Sequence, residues 1–222
     1  MQMSRKERCL KIAELLKKEY GTSHCPLNFQ SPFQLLVALI LSARTQDECV
    51  NHILPTLFER YPDAHALSLS DADELLQIIQ EVTYSDVKVT YLRDSAQIID
   101  QRYGGEVPSD RMALLSLPGV GRKSANLLSV EAFGVDAFPV DTHVQRVSYR
   151  TGISLSKNVE MTEKTLCQFV PSNQMKEFYR QMIEHGKKYC TAVSPRCDKC
   201  CIRLYCETCT PTQKEEQYFW SF

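Results

Sequence analysis

A glycine-rich turn, a lysine and a carboxylate lie within residues 117–141 of this chain. Leu117-Pro118-Gly119-Val120-Gly121 reads as a tight turn, and Arg122-Lys123-Ser124-Ala125-Asn126 reads as the start of a helix. Glycine takes positive φ and lets another backbone approach closely. The first turn of a helix offers unpaired N–H groups at a positive dipole end. Gly119, Val120, Gly121 and Arg122 can therefore hold a phosphate largely through backbone amides. The plain alternative is an ordinary turn between two helices, for which Pro-Gly is a common choice. Lys123 sits just inside that helix start, where a cation is misplaced by about 0.3–1 kcal/mol. A lysine amine freed of its proton is a nucleophile. Pro139-Val140-Asp141-Thr142-His143 reads as a second helix start with Asp141 at its cap, an ordinary place for Asp. Taken singly, Lys123 is a solvated lysine and Asp141 is a cap. Taken together with the turn, they supply a nucleophile, a carboxylate and a grip on phosphate. His143 reads as support for that structure.

Ten cysteines form the second feature, and six of them fall within residues 190–209. Cys190-x6-Cys197-x2-Cys200-x5-Cys206 gives four thiolates, which suit either a tetrahedral zinc ion or a [4Fe–4S] cluster. Disulfides are a third option. Cys201 and Cys209 stand outside this set and are expected to be free thiols, while Cys9, Cys25, Cys49 and Cys167 read as small semi-buried hydrophobes.

Helical periodicity positions these groups. Helices are predicted over residues 4–20, 33–41, 47–61, 75–79, 86–103, 111–117, 123–133, 142–150, 159–170 and 174–189. Ser31-Pro32 opens the nearly all-apolar segment 33–41, which belongs at the centre of a core. Gly21 and Gly104 fall where C-terminal caps belong. No alternating strand pair is visible, so the fold class is all-α with short loops.

Composition narrows the function classes. The 222 residues are 43% hydrophobic and 24% charged, which excludes disordered, collagen-like and coiled-coil chains. A net charge of −1 excludes a simple polycation. The charge is uneven, with eleven acidic and five basic residues in 31–105 and six basic against three acidic in 1–30. A bias this mild usually reflects solvated helix surface and does not by itself point to nucleic acid. The first ten residues lack the apolar run of a secretory signal. The longest apolar stretch, 35–41, is far short of the about 18 residues that span a bilayer. An intracellular, soluble protein with reduced thiols is expected, and clustered cysteines then favour a metal over disulfides.

Leu-Pro-Gly-Val-Gly-Arg-Lys-Ser-Ala-Asn followed by Val-Asp-Thr-His resembles the helix-hairpin-helix and Gly/Pro-rich loop with aspartate of the endonuclease III family of DNA glycosylases. The similarity runs from Phe33–Asp47 through Gly105-Glu106-Val107-Pro108 to the cysteines. It implies a two-lobed fold: a six-helix lobe over 25–135 carrying the hairpin, and a helical iron–sulfur lobe from 1–24 and 136–222. It further implies a [4Fe–4S] cluster on Cys190, Cys197, Cys200 and Cys206. Lys123 would attack C1′ of a damaged nucleotide, assisted by Asp141, and the Schiff base would then nick the strand 3′ to the lesion. The implied partner is double-stranded DNA with damaged or abasic nucleotides, bound by a monomer, with no membrane. The implied location is cytoplasmic, or nucleoid-associated if bacterial. In the family, basic residues of the first cysteine loop touch phosphate. Here that loop carries only Arg196, with Lys187, Lys188 and Lys199 nearby.

Two loops depart from the family pattern. A base must leave the duplex before its sugar can be attacked, and a side chain should fill the gap. The family form Ser-Ala-Gln-x-x-Asp here reads Ser42-Ala43-Arg44-Thr45-Gln46-Asp47, so Arg44 or Gln46 is the candidate plug. The plain alternative for Arg44 is a surface cation paired with Asp47 or Glu48. A second family loop, Gly-Leu/Tyr-x-x-Lys-Ala, here reads Thr83-Tyr84-Ser85-Asp86-Val87-Lys88-Val89. Its glycine is missing, Tyr84 is a candidate wedge, and Lys88 matches. The leading expectation is a bifunctional glycosylase and AP lyase for oxidised pyrimidines. Two rivals stay open: a monofunctional adenine- or mismatch-type glycosylase, which typically lacks the lysine, and a non-catalytic DNA-binding protein. The aromatic segment 218–222 is expected to pack on the core or to dock a partner.

Overall fold

The buried helix forecast from Ser31-Pro32 is the axis of one of two units in the computed structural model, which describes residues 3–209. Backbone contacts group 24–139 into one unit and 1–23 with 140–222 into the other. The segment 218–222 lies outside the described residues. Among those residues there are helices and turns and no strand, as the all-α class requires. No helix among them is long and apolar enough to cross a membrane.

The unit 24–139 holds seven helices: α2 (Pro32–Ser42), α3 (Asp47–Arg60), α4 (Ala64–Ser68), α5 (Ala72–Ile79), α6 (Ser85–Tyr103), α7 (Arg111–Leu115) and α8 (Arg122–Ala132). The Ser31 hydroxyl accepts from the Gln34 amide and Pro32 occupies the first turn, so α2 starts where the sequence places it. Leu35 through Leu41 are all buried, and α2 packs against α3, α6 and α8. The sequence reading expects six helices here. The seventh, α4, has only five residues, too few for a period to be visible. Its local signal is Asp63, whose carboxylate accepts from the Ala66 amide. α6 ends at Gly104 in the left-handed conformation.

The second unit is built from α1 (Arg5–Tyr20), α9 (Thr142–Arg150), α10 (Val159–Phe169) and α11 (Ser172–Lys188). Short 3₁₀ turns follow at Cys197–Lys199 and Arg203–Tyr205. Ser4 and Glu7 close a reciprocal capping box at the head of α1. α11 packs on both α1 and α9. The Gln181 amide donates to Gly21 O at 2.7 Å, and the Arg8 guanidinium pairs with Glu207. The first bond ties α11 to the end of α1, and the second ties the last described turn to α1.

At the α9–α11 crossing, a Cβ on Gly186 would come within 2.8 Å of His143 Cβ. Overpacking of this kind costs about 1–3 kcal/mol. Alanine's helix advantage over glycine returns only about 1 kcal/mol. Gly186→Ala is therefore expected to lower the urea midpoint, and an unchanged midpoint would show that the crossing has slack.

Candidate active site

The hairpin in the unit 24–139 is formed by α7, residues 116–121 and α8. Val120 N–H donates to Leu117 O at 3.1 Å and closes the turn. Gly119 has φ +78°, and a Cβ there would meet Tyr91 Cδ2 at 2.8 Å. Glycine is thus required twice over, for its dihedral and for the close approach of α6. One turn further along α6, the buried Ser95 hydroxyl donates to Pro118 O at 2.9 Å. Tyr91 and Ser95 are four residues apart on one helical face and together seat the turn. Val120 itself is buried, and its side chain is part of the core.

Gly121 is the N-cap of α8, so no side chain caps that helix. The amides of its first turn point outward at the positive end of the helix dipole. Arg122 is half-buried, while Lys123 is exposed. The Lys123 amine has no ion-pair partner among the described residues. Asn126, three residues on, is fully buried and donates to Phe138 O at 3.2 Å, tying α8 to the segment that leads out of this unit.

Asp141 belongs to the other unit and is the N-cap of α9. Its Oδ1 accepts from the His143 amide at 2.9 Å and the Val144 amide at 2.8 Å. The ordinary structural role of the aspartate is therefore real, and it occupies one of the two carboxylate oxygens. His143 supports the same helix, its Nδ1 lying 3.0 Å from Arg146 Nη2.

The two loops at the start of α3 and α6 share an unusual backbone. Arg44 and Tyr84 are the non-glycine residues with positive φ among the described residues, both at +59°. Such conformations cost of order 1–3 kcal/mol and persist only where the surroundings enforce them. Tyr84 is 59% exposed, and Arg44 and Gln46 are exposed too. Arg44 has no ion-pair partner among the described residues, so Asp47 and Glu48 do not claim it. Gln46 is the N-cap of α3 but makes no side-chain cap bond. Lys88 is placed differently. It is 4% exposed, and its ammonium donates to Leu41 O at 2.7 Å, Ala43 O at 2.6 Å and Thr45 Oγ1 at 3.2 Å. Burial pushes it below the ordinary lysine range. Its charge is spent inside the protein, on the loop that carries Arg44.

The cysteines gather around a cavity of about 630 Å³ in the unit that carries Asp141. Cys190, Cys197, Cys200 and Cys206 all line it, and so does Cys209, which the spacing sets apart. Cys201 is not on its wall; burial and Glu19 push its thiol up. Among the described residues, no three His, Cys, Asp or Glu side chains converge on a single metal-ion position. A zinc ion would need its thiolates about 2.3 Å away. The cavity has room for a metal ion or for a larger inorganic group. Burial pushes the Cys200 thiol up to about 12 and the His185 imidazole down to about 4. His185 Nε2 lies 3.5 Å from Cys200 Sγ.

Two arginines escape the sequence reading. Arg146 donates through Nε to Cys190 O at 2.8 Å and through Nη2 to Gly186 O at 2.9 Å. Arg150 donates to Thr191 O at 2.7 Å and Ala192 O at 2.9 Å, with Nη1 3.5 Å from Cys190 Sγ. They lie four residues apart on the helix that Asp141 caps, so one face of α9 holds the first cysteine loop. Their spacing was the available signal. Arg196, Lys187, Lys188 and Lys199 remain candidate phosphate contacts, and Lys188 sits 3.9 Å from Glu19.

Residues 37–172 match the family model described as HhH-GPD superfamily base excision DNA repair protein. The chain is 39% identical over 204 residues to the endonuclease III of Synechocystis sp., covering 91% of this chain and 93% of that protein. It is 36% identical over 202 residues to the endonuclease III of Escherichia coli K12, covering 91% and 96%. It superposes on the solved structure of a trapped endonuclease III–DNA covalent intermediate with a TM-score of 0.84 at 36% identity, covering 93% of this chain and 97% of that one. The hairpin, the capping aspartate and the thiol-lined cavity thus sit in a chain similar to these proteins over about nine-tenths of its length, and it belongs to the endonuclease III family of the HhH-GPD superfamily.

Proposed function

We propose that this protein is a bifunctional DNA glycosylase and AP lyase that removes oxidised pyrimidines from duplex DNA. The observation that carries the reading is Lys123: an exposed amine without an ion pair among the described residues, on the uncapped first turn of α8. It occurs in a chain similar to a protein captured in a covalent intermediate with DNA. A monofunctional glycosylase or a plain DNA-binding protein needs no such amine.

In this reading the amides around Gly119 and Gly121 take a backbone phosphate, which explains DNA binding at a net charge of −1. The damaged nucleotide is turned out of the stack, with Arg44, Gln46 or Tyr84 filling the gap. Asp141 takes a proton from the Lys123 ammonium, and the free amine attacks C1′. The bond from C1′ to the base breaks; the base leaves with the electron pair and takes up a proton. Asp141 meanwhile faces the positive charge that develops on the sugar. Its Oδ1 is committed to two amides, so Oδ2 does this work on a carboxylate that cannot swing. The attached nitrogen loses its second proton, its lone pair forms the C=N bond as C1′–O4′ breaks, and O4′ takes up a proton, which gives the ring-opened Schiff base. The imine acidifies the C2′ hydrogen, and its removal expels the 3′-phosphate oxygen, which nicks the strand. Water then hydrolyses the imine and frees Lys123.

The cavity and its donor set suit a [4Fe–4S] cluster held by Cys190, Cys197, Cys200 and Cys206. Bound there, it would act as a covalent staple for a segment too short to build its own core. The unit 24–139 then corresponds to the hairpin lobe and the other to the iron–sulfur lobe.

Borohydride should trap the wild type on abasic duplex DNA. Lys123→Ala should abolish trapping, and Asp141→Asn should slow it by about 10²–10⁴, the range for positioned proton transfer. Equal trapping by Lys123→Ala sinks the lyase reading. A panel of single-lesion duplexes scored for base release tests the substrate class, and release of adenine or mismatched thymine alone would favour the monofunctional rival. Gly119→Ala should lose about 1–2 kcal/mol of stability and weaken binding to abasic DNA, measured by fluorescence anisotropy. Intact binding would remove the hairpin from the grip. Purified protein should carry about four irons and a visible charge-transfer band, both reduced in Cys200→Ser; a colourless protein with one zinc reverses the cofactor assignment.

A further inference from the structure

The candidate lesion-reading loops are bonded to each other through the half-buried Thr45, which the buried Lys88 holds. Lys88 has three N–H donors, and three oxygens receive them: Leu41 O, Ala43 O and Thr45 Oγ1. Thr45 Oγ1 also accepts from the Thr83 amide at 3.2 Å. Thr45 directly follows Arg44, and Thr83 directly precedes Tyr84. A second link lies beside the first, where the Cys49 thiol approaches Glu81 O at 3.7 Å. The left-handed residues at the two tips are thus each one residue from the same hydroxyl. That hydroxyl is fixed by an ammonium rooted in α6, four residues beyond Tyr84. A buried cation with all its donors matched is costly to move, because any displacement leaves polar groups unpaired.

We propose that Lys88 is a positioning residue that, through Thr45, couples the Arg44 and Tyr84 loops into one reading edge that recognises the damaged pair. The inference rests on the glycosylase reading for what that edge does, but the coupling itself is a property of the free protein. Neither loop can adjust alone. A base pair that displaces Tyr84 pulls on Thr83, and through Thr45 on the strained backbone of Arg44. Discrimination between lesions is then a joint property of the two tips.

Two measurements test this. The first is hydrogen–deuterium exchange on the unliganded full chain, read in segments 41–46 and 81–86. Lys88→Met keeps the stem and removes the ammonium, and it should accelerate both segments at least tenfold while helices α8 and α11 are unchanged. Thr45→Val removes the bridging hydroxyl, and with it the bond to the Thr83 amide and one of the three Lys88 acceptors. It should accelerate 81–86 and leave the Lys88 bonds to Leu41 and Ala43 intact, which guards against a Lys88 variant that fails to fold. Acceleration confined to 41–46 in Lys88→Met, with 81–86 at the wild-type rate, would overturn the proposal. The second is a double-mutant cycle of Arg44→Ala and Tyr84→Ala on base release from a lesion panel. In the wild-type background the double variant should deviate from the product of the singles by fivefold or more. In the Thr45→Val background the two effects should multiply within twofold. The same deviation in both backgrounds defeats the coupling. A wild type that releases no base, but shows the linked exchange, defeats the glycosylase reading and leaves the coupled loops standing.

Discussion

A helix buried on every side must have its last carbonyls answered from within the protein. This constraint governs the unit 24–139. α2 is apolar and buried from Leu35 through Leu41, and carbonyls left unpaired where its C-terminal turn is buried would each cost about 1–3 kcal/mol. Lys88 answers two of them from α6, where a cation also suits the negative end of the α2 dipole. The same helix carries Tyr84 at its head and Tyr91 and Ser95 further along. These positions follow the spacing of a single helical face. One face of α6 therefore fixes the end of the central helix, the two strained loops and the glycine turn before Lys123. The placement of the chemistry is a by-product of satisfying a buried backbone.

The other unit solves a different problem with similar means. Its long residues turn inward on loop carbonyls. Arg146 and Arg150 spend seven-atom side chains on the backbone of residues 186–192, where a sheet or a longer helix would have paired those groups with each other. The result is a loop shaped from outside, which keeps thiols spread around a cavity. Asp141 opens the helix that carries both arginines. The carboxylate assigned to catalysis and the loop assigned to the metal are in this way fixed by one nine-residue helix.

Much of this was legible in the sequence because it is local. Ser31-Pro32, the Asp141 cap and the glycine turn each declare themselves within four residues, and each is found where it was expected. The short α4 has too few residues to show a period. Lys88 and the two arginines were opaque for another reason. Lysine and arginine on a helix read as surface, and nothing nearby in the chain says that their acceptors lie more than forty residues away. The family motif pointed to Lys88 without saying what it touches. Cys209 is a similar case: it falls outside the ligand spacing, yet a turn closed by its amide on Cys206 O returns it to the cavity wall.

The division of the chain also sets an order of events. α1 is made first, but its partners are α10, α11 and the turn at 203–205, and Arg8 waits for Glu207, 199 residues later. The intervening unit is complete in itself and can fold during synthesis, as domains generally do. The cavity that the cysteines surround can close only once the ribosome has delivered its last wall. Interrupted translation would then yield a hairpin unit with its lysine in place, but with neither the aspartate's helix packed on α11 nor the cysteine-lined cavity assembled.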